Sequence, residues 1–171
     1  CDGPQKLLFG RVAKNPRGQT PILELDDGRV IAESVAIMRY LEAEHPEPPL
    51  FGTGALGTAK VEMWNRRLEL GLLQPVAAAF RHTHPAMATW EVPQIAEWGE
   101  ANRPKALEFL KLFDAHLADA RFAAGDAYSV ADITGLIAMD FMKPAKITPP
   151  EDLENVRRWY AEVSARPSAK A

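Results

Sequence analysis

The adjacent residues Glu33 and Ser34 carry the clearest chemical pattern in the chain. They precede a segment in which Ile37, Met38 and Leu41 share one helical face, so they stand at a predicted helix N-terminus. Unpaired backbone N–H groups and the helix dipole suit such a position to an anion, and a carboxylate ligand fits there. Serine before a helix is also a common N-cap that needs no ligand. Both interpretations stay open from these residues alone.

Three other polar groups have residue types that can do chemistry. Ser129 and Asp132 have capping-box spacing, which predicts a folding role for the carboxylate rather than a catalytic one. His82 and His84 are two residues apart, so their rings point apart on a helix, and no third ligand stands nearby. No metal site is therefore predicted. Cys1 is the single cysteine, and a lone terminal thiol is a weak candidate for catalysis.

A hairpin and a helix are predicted to position Glu33 and Ser34. The β-prone runs 22–25 and 29–32 flank Asp26-Asp27-Gly28, and Asp-Gly between apolar runs is a strong signal for a tight turn. The helix that follows must stop near His45, because the prolines after it cannot continue a helix. The segment 44–57 is rich in Pro and Gly and is predicted to be a linker.

Every segment after Gly57 has helical periodicity. The segment from Val130 to Met142 is apolar nearly all round, which predicts a central helix buried by its neighbours. A bend is expected at Pro75, inside the first long helix. The four apolar stripes comprise Val61, Trp64, Leu68, Leu72 and Val76; Ala106, Phe109, Leu110, Phe113 and Leu117; Val130, Ile133, Ile137 and Phe141; and Leu153, Val156, Tyr160 and Val163.

This order of elements, together with four stretches of sequence, resembles the glutathione transferase family. The stretches are 15–23 (Asn-Pro-Arg-Gly-Gln-Thr-Pro-Ile-Leu), 26–41, 123–133 and 159–167, in the family's order. The resemblance implies an α/β plus all-α fold class. Residues 1–46 are expected to form a partial thioredoxin-like glutathione-binding domain, and residues 57–171 an all-helical C-terminal domain.

The resemblance also implies a glutathione site. Ser34 would hold the γ-glutamyl carboxylate through its N–H and hydroxyl, and Glu33 would lie near the ligand's ammonium group. Thr20 and Pro21 would share a cis peptide bond and pair the Thr20 backbone with the cysteinyl part of the tripeptide. Gln19 is a weaker candidate for the ligand's polar end. Glutathione is then a co-substrate, and no metal or redox cofactor is implied.

The catalytic residue is not identified. The family's catalytic Tyr, Ser or Cys lies in an opening strand–helix–strand segment, which the 14 residues before Asn15 are too few to form. A protein of only these residues is expected to conjugate glutathione poorly. The resemblance further implies that glutathione is conjugated to a hydrophobic electrophile or reduces it, and that the protein has a role in detoxification. It also implies a homodimer, for which Met63, Arg67 and Leu70 are the expected contacts.

Composition and charge limit which other classes of function fit this chain. Hydrophobic residues make up 47% of the chain and charged residues 25%, ordinary values for a soluble globular protein. A net charge of −3 argues against nucleic acid or an anionic membrane as partner. One cysteine fits a reducing compartment, and the cytoplasm is expected. A non-catalytic glutathione- or apolar-ligand-binding protein and a dimeric scaffold are the alternatives to an enzyme.

Overall fold

A computed structural model describes residues 14–170 of the chain. The chain divides into two compact units between Pro49 and Leu50. The first unit carries a small sheet and a helix, and the second is helical. None of the helices in the described part of the chain is long and apolar enough to cross a membrane.

The first unit is built on the predicted hairpin. Strands β1 (Ile22–Glu24) and β2 (Val30–Ala32) are antiparallel, with Ile22 opposite Ala32. Gly28 closes the turn at φ 84°, a left-handed conformation that suits glycine, and its N–H donates to the Leu25 carbonyl at 2.9 Å. Helix α1 (Ser34–Glu44) follows and ends just before His45, close to where the prolines predict.

The second unit contains five further α-helices. They are α2 (Gly54–Leu68), α3 (Gln74–Thr83), α4 (Ala96–Leu117), α5 (Val130–Met142) and α6 (Glu154–Ser164). Short 3-10 turns cover Pro85–Met87 and Pro167–Ala169. Most residues of the predicted stripes of α2 and α4 belong to the core, and Trp64, which is 5% exposed, is among them as expected.

The irregular part of the first long helix precedes Pro75 rather than lying at it. Residues Glu69–Leu73 form a π-helical turn between α2 and α3. Proline has no N–H to donate, and its ring crowds the carbonyl four residues earlier, which here belongs to Gly71. A wider turn at that point relieves the crowding. Gly71 also lies against Phe109, since a Cβ atom there would be 2.3 Å from the ring.

The predicted buried face of α5 was partly wrong. Ile137 is 53% exposed, whereas Ala131, Gly135 and Ala138 face the core. The reason is Trp159 of α6, which is fully buried and lies so close that a Cβ at Gly135 would be 2.9 Å from its ring. Small residues on α5 therefore mark the packed face, because they admit the indole.

Candidate functional site

The loop that enters β1 is organised by Asn15, whose side chain is buried. Its Nδ2 donates to the Gln19 carbonyl at 2.8 Å, and its Oδ1 accepts the Arg17 N–H at 3.1 Å. The Asn15 carbonyl accepts the Gly18 N–H at 2.8 Å, which closes a turn with Pro16 at its second position. One side chain thus spans the loop and fixes where the chain passes into Thr20.

Thr20 and Pro21 are joined by a cis peptide bond, as the family resemblance predicted. Gln19, Thr20 and Pro21 are all exposed. Within residues 14–170 neither the N–H nor the C=O of Thr20 makes a hydrogen bond. Both backbone groups are therefore available to a ligand that pairs with the chain as a strand would.

Glu33 and Ser34 stand between β2 and α1, with one change from the prediction. The N-cap is Glu33, and Ser34 is the first helical residue, so the expected N-cap at Ser34 was wrong by one position. Glu33 has a φ of 72°, which residues other than glycine rarely adopt, and its carbonyl accepts the Ile37 N–H at 3.0 Å. In the described part of the chain, the N–H groups of Ser34, Val35 and Ala36 in the first turn of α1 have no hydrogen-bond acceptor. The exposed Ser34 hydroxyl has no hydrogen-bond partner there either.

The register of the hairpin brings these two pairs together. Ile22 lies opposite Ala32 in an antiparallel ladder, so the residues just before Ile22 lie beside those just after Ala32. Thr20-Pro21 and Glu33-Ser34 therefore share one end of the sheet, and we call residues 19–21 and 33–34 the hairpin corner. Arg17 adds a cation there, with its Nη1 3.9 Å from the Glu33 carboxylate.

The sequence interpretation did not single out Asn15 and Arg17, which contact residues of this corner. The signal for Asn15 is the run Asn-Pro-x-Gly, because Asn favours the first and Pro the second position of a turn. Arg17 has no comparable signal. Its approach to Glu33 depends on the folded loop rather than on sequence spacing.

The other polar candidates have structural roles in the helical unit. The predicted capping box of α5 is present, and the fully buried Asp132 also accepts hydrogen bonds from the Ala123 N–H and the Trp159 indole, each at 2.8 Å. Burial raises the pKa of Asp132, although all of these hydrogen bonds oppose that shift. Its role is to join α5 to α6 and to the loop before α5.

The two histidines have structural roles of their own. His82 accepts the Ile95 N–H at Nδ1, and His84 accepts the Ala86 N–H, so both hold the connection between α3 and α4. Among residues 14–170 no three His, Cys, Asp or Glu side chains are grouped closely enough to hold a metal ion. Cys1 lies outside the described residues.

Comparison with known proteins identifies the family to which the chain is related. The family model "Glutathione S-transferase, N-terminal domain" matches residues 8–44, and "Glutathione S-transferase, C-terminal domain" matches residues 96–167. Glutathione S-transferase 2 of Saccharomyces cerevisiae is 41% identical over 160 residues, which are 93% of this chain and 69% of that protein. The chain belongs to the glutathione S-transferase family.

Two other matches show how widely this fold is used. A crystal structure of a glutathione S-transferase domain-containing protein of Marinobacter aquaeolei is 36% identical, with a TM-score of 0.88 over 97% of this chain and 82% of that one. Elongation factor 1-gamma 2 of Oryza sativa is 27% identical over 91% of this chain, which is 36% of that protein.

Family membership confirms several of the sequence predictions. The chain has the glutathione S-transferase fold, with a small N-terminal sheet and a mostly helical C-terminal part, and it is a protein of the glutathione transferase type. The roles of the five corner residues and the homodimer stay predictions.

Proposed function

We propose that the protein binds glutathione at the hairpin corner and transfers the glutathionyl group to a hydrophobic electrophile. The glutathione thiolate attacks the electrophilic carbon, a C–S bond forms, and the leaving group departs with its bonding electrons. The thiol proton goes to solvent. The group that stabilises the thiolate is not assigned. The observation that carries the proposal is that the unpaired backbone groups of Thr20 lie at the same end of the sheet as the unpaired N–H groups at the start of α1.

The chemistry of the γ-glutamyl end of the tripeptide matches the corner. Its γ-glutamyl carboxylate fits the unpaired N–H groups at the start of α1, with Ser34 adding a hydroxyl donor. Its ammonium group pairs with the Glu33 carboxylate. A charge-assisted hydrogen bond of this kind contributes about 1.5–3 kcal/mol, so these two contacts would supply much of the affinity.

The middle of the ligand is held by backbone. The Thr20 N–H and C=O would pair with the cysteinyl residue, and Pro21 fixes the direction in which Thr20 presents them. Gln19 is proposed to contact the polar end of the ligand, and Asn15 positions it by holding the Gln19 carbonyl. Such positioning lowers the entropic barrier to attack by the sulfur.

The helical unit is proposed to supply the apolar surface for the second substrate. A role in detoxification in the cytoplasm is proposed for the whole enzyme. A homodimer is proposed through Met63 and Arg67 of α2 and Leu70 of the π-helical turn that follows it, where Met63 and Leu70 are 40% and 62% exposed. Side chains of this type gain most from burial against a second copy.

A non-catalytic role is the second candidate, and the similarity to elongation factor 1-gamma 2 favours it, because that protein is not named as a transferase. Two measurements separate the candidates. Calorimetric titration with glutathione separates a scaffold, which gives no heat of binding, from a binder or an enzyme. Turnover of a generic aryl halide, followed by thioether formation, then separates the enzyme from the binder. Binding without turnover above the uncatalysed rate would favour the second candidate.

A further inference from the structure

Two imidazole rings hold residues 84–95, the segment between α3 and α4 that we call the connection. The Ile95 N–H donates to Nδ1 of His82 at 3.1 Å, and the Ala86 N–H donates to Nδ1 of His84 at 3.2 Å. A ring nitrogen accepts a hydrogen bond only while it carries no proton, so both rings are neutral with their proton on Nε2. Histidine is the side chain whose charge ordinarily changes between pH 5 and 8, so mild acid can remove both acceptors.

His82 is fixed by close packing between α3 and α4. Its side chain is 14% exposed, and a Cβ atom at Gly99 would lie 3.1 Å from the His82 Cβ and 2.6 Å from Cγ2 of Thr83. Glycine at position 99 therefore lets the two helix ends approach this closely. With the ends so near, a proton on Nδ1 would face the Ile95 N–H, which places two donors 3.1 Å apart.

The charges that face His82 come from three elements and have both signs. From the connection, Glu91 Oε1 lies 3.7 Å from Nε2 of the ring. From α4, Arg103 donates to the hydroxyl of the residue after His82 at 3.3 Å, and its own Nε donates to Glu100 at 2.9 Å. Arg81 precedes His82 on α3 and is exposed. Neither sign dominates around the ring, so the ring can take a proton from solvent.

His84 caps the 3-10 turn that opens the connection. Its ring is half-buried and lies 4.6 Å from the ring of Phe80, which itself packs against Phe141 of α5 at 4.9 Å. In the part of the chain that the structure describes, His84 has no ion pair. Its hydrogen bond to Ala86 is therefore the contact through which protonation of this ring acts.

Gln94 attaches the connection in a way that does not depend on pH. Its Nε2 donates to the carbonyls of Arg81 and His84, at 2.6 and 3.0 Å. A side-chain amide does not titrate, so these two hydrogen bonds persist in mild acid. Loss of the imidazole acceptors therefore loosens the connection near its two ends, at Ala86 and Ile95, without detaching it.

The connection and the first turn of α4 present large apolar side chains to solvent. Trp90 and Val92 are 78% and 77% exposed, and Ile95 and Trp98 are 49% and 50% exposed. Ile95 is also the N-cap of α4. Loosening at Ile95 therefore acts on the start of α4 and on the backbone that presents this apolar surface.

We propose that His82 and His84 form an acid-sensitive latch on the connection between α3 and α4. While both Nδ1 atoms are unprotonated, the connection is fixed to the end of α3 and to the start of α4. A proton from solvent on either ring releases the backbone N–H that the ring holds. The latch lies wholly within the helical unit, so the proposal does not depend on glutathione binding at the hairpin corner.

Amide hydrogen exchange, measured residue by residue by NMR between pH 8 and 5, tests the latch. Each rate is divided by the rate of an unfolded peptide at the same pH, which gives a protection factor. In the unmodified protein, protection at Ala86 and Ile95 should fall roughly three- to tenfold with falling pH, because each N–H loses one hydrogen bond. Ile147 donates to the Met142 carbonyl at 2.9 Å, an acceptor that does not titrate, and its protection should stay constant.

Asparagine variants separate titration from geometry. In the double variant His82→Asn and His84→Asn, the side-chain oxygen can replace Nδ1 as acceptor but does not titrate, so protection at Ala86 and Ile95 should change less than twofold. His45→Asn, at an exposed histidine outside the helical unit, is the matched control and should keep the full pH dependence. Constant protection at Ala86 and Ile95 in the unmodified protein overturns the proposal without any variant. An equal fall at Ile147, or an equal fall in the double variant, overturns it as well.

Discussion

Replacing Asp132 with alanine should destabilise the helical unit strongly. The carboxylate accepts hydrogen bonds from the Ala123 N–H, the Ser129 N–H and hydroxyl, and the Trp159 indole, and it is fully buried. Alanine would leave three buried N–H donors without an acceptor, at about 1–3 kcal/mol each. Relief of the desolvation cost of the buried carboxylate offsets part of this. We expect a net loss of about 3–5 kcal/mol, a large share of the ~5–15 kcal/mol that stabilises a typical domain.

Asp132→Asn should be milder, because its side-chain oxygen can still accept from Ala123 and Trp159. Only the Ser129 donors lose their acceptor, so we expect a loss of about 1–3 kcal/mol. Urea denaturation followed by far-UV circular dichroism measures both variants. With a slope of ~2 kcal/mol per molar urea, the alanine variant should unfold about 1.5–2.5 M earlier. Asp119→Ala, at an exposed position, is the control and should leave the midpoint unchanged.

Comparison of the unmodified protein with Asp132→Asn should also show a pH dependence of stability. Because burial raises the pKa of Asp132 in the folded state, the folded state binds the proton more tightly than the unfolded state. The contribution from this group is fully present below the unfolded pKa of ~3.9 and is lost as the pH rises through the folded value. The advantage of the unmodified protein over Asp132→Asn should therefore shrink across that window. An alanine variant with an unchanged midpoint, or an advantage that grows with pH, would refute the reasoning.

Three other variants test separate parts of the structure. Gly71→Ala would place a Cβ 2.3 Å from the Phe109 ring and should lower stability by about 1–3 kcal/mol, measured by thermal unfolding; an unchanged melting temperature would contradict the packing at the π-helical turn. Leu70→Glu, at a 62% exposed position, should convert the proposed dimer to a monomer of about 18.9 kDa in light scattering without changing helicity; an unmodified protein that is already monomeric would contradict the proposed interface. Arg17→Gln should change glutathione affinity by less than fivefold, because the Arg17–Glu33 pair is exposed; a larger loss would place Arg17 in direct contact with the ligand.

Local rules predicted the elements whose causes are local. The hairpin follows from Asp-Gly between two apolar runs, and the end of α1 follows from the prolines after His45. The capping box follows from the spacing of Ser129 and Asp132. In each of these the residues that determine the conformation are within a few positions of one another, so the sequence contains the whole cause.

The features that were missed have causes elsewhere in the chain. The buried face of α5 depends on Trp159, which is 24 positions beyond Gly135 and approaches it only in the folded unit. The left-handed Lys146 at the end of α5 has no sequence signal either, because glycine or asparagine is usual there.

The candidate site was predicted mostly through family resemblance. Local sequence favoured Ser34 as an N-cap, and only the resemblance favoured ligand contact. The structure moves the N-cap to Glu33 at a positive φ, which leaves the Ser34 N–H and hydroxyl without partners in the described residues. A positive φ at glutamate costs about 1–3 kcal/mol, which fits a position shaped for a ligand rather than for stability.

The central claim is that glutathione binds at the start of α1, and one calorimetric comparison tests it most directly. Glutathione is titrated into the unmodified protein, into Ser34→Ala, and into Ser168→Ala, a control at an exposed serine outside the corner. Loss of a hydrogen bond to a charged group should weaken Ser34→Ala by about 1–3 kcal/mol, or roughly 5- to 150-fold in Kd, with the control unchanged. Equal affinities for all three proteins would contradict the claim and remove Ser34 from the site.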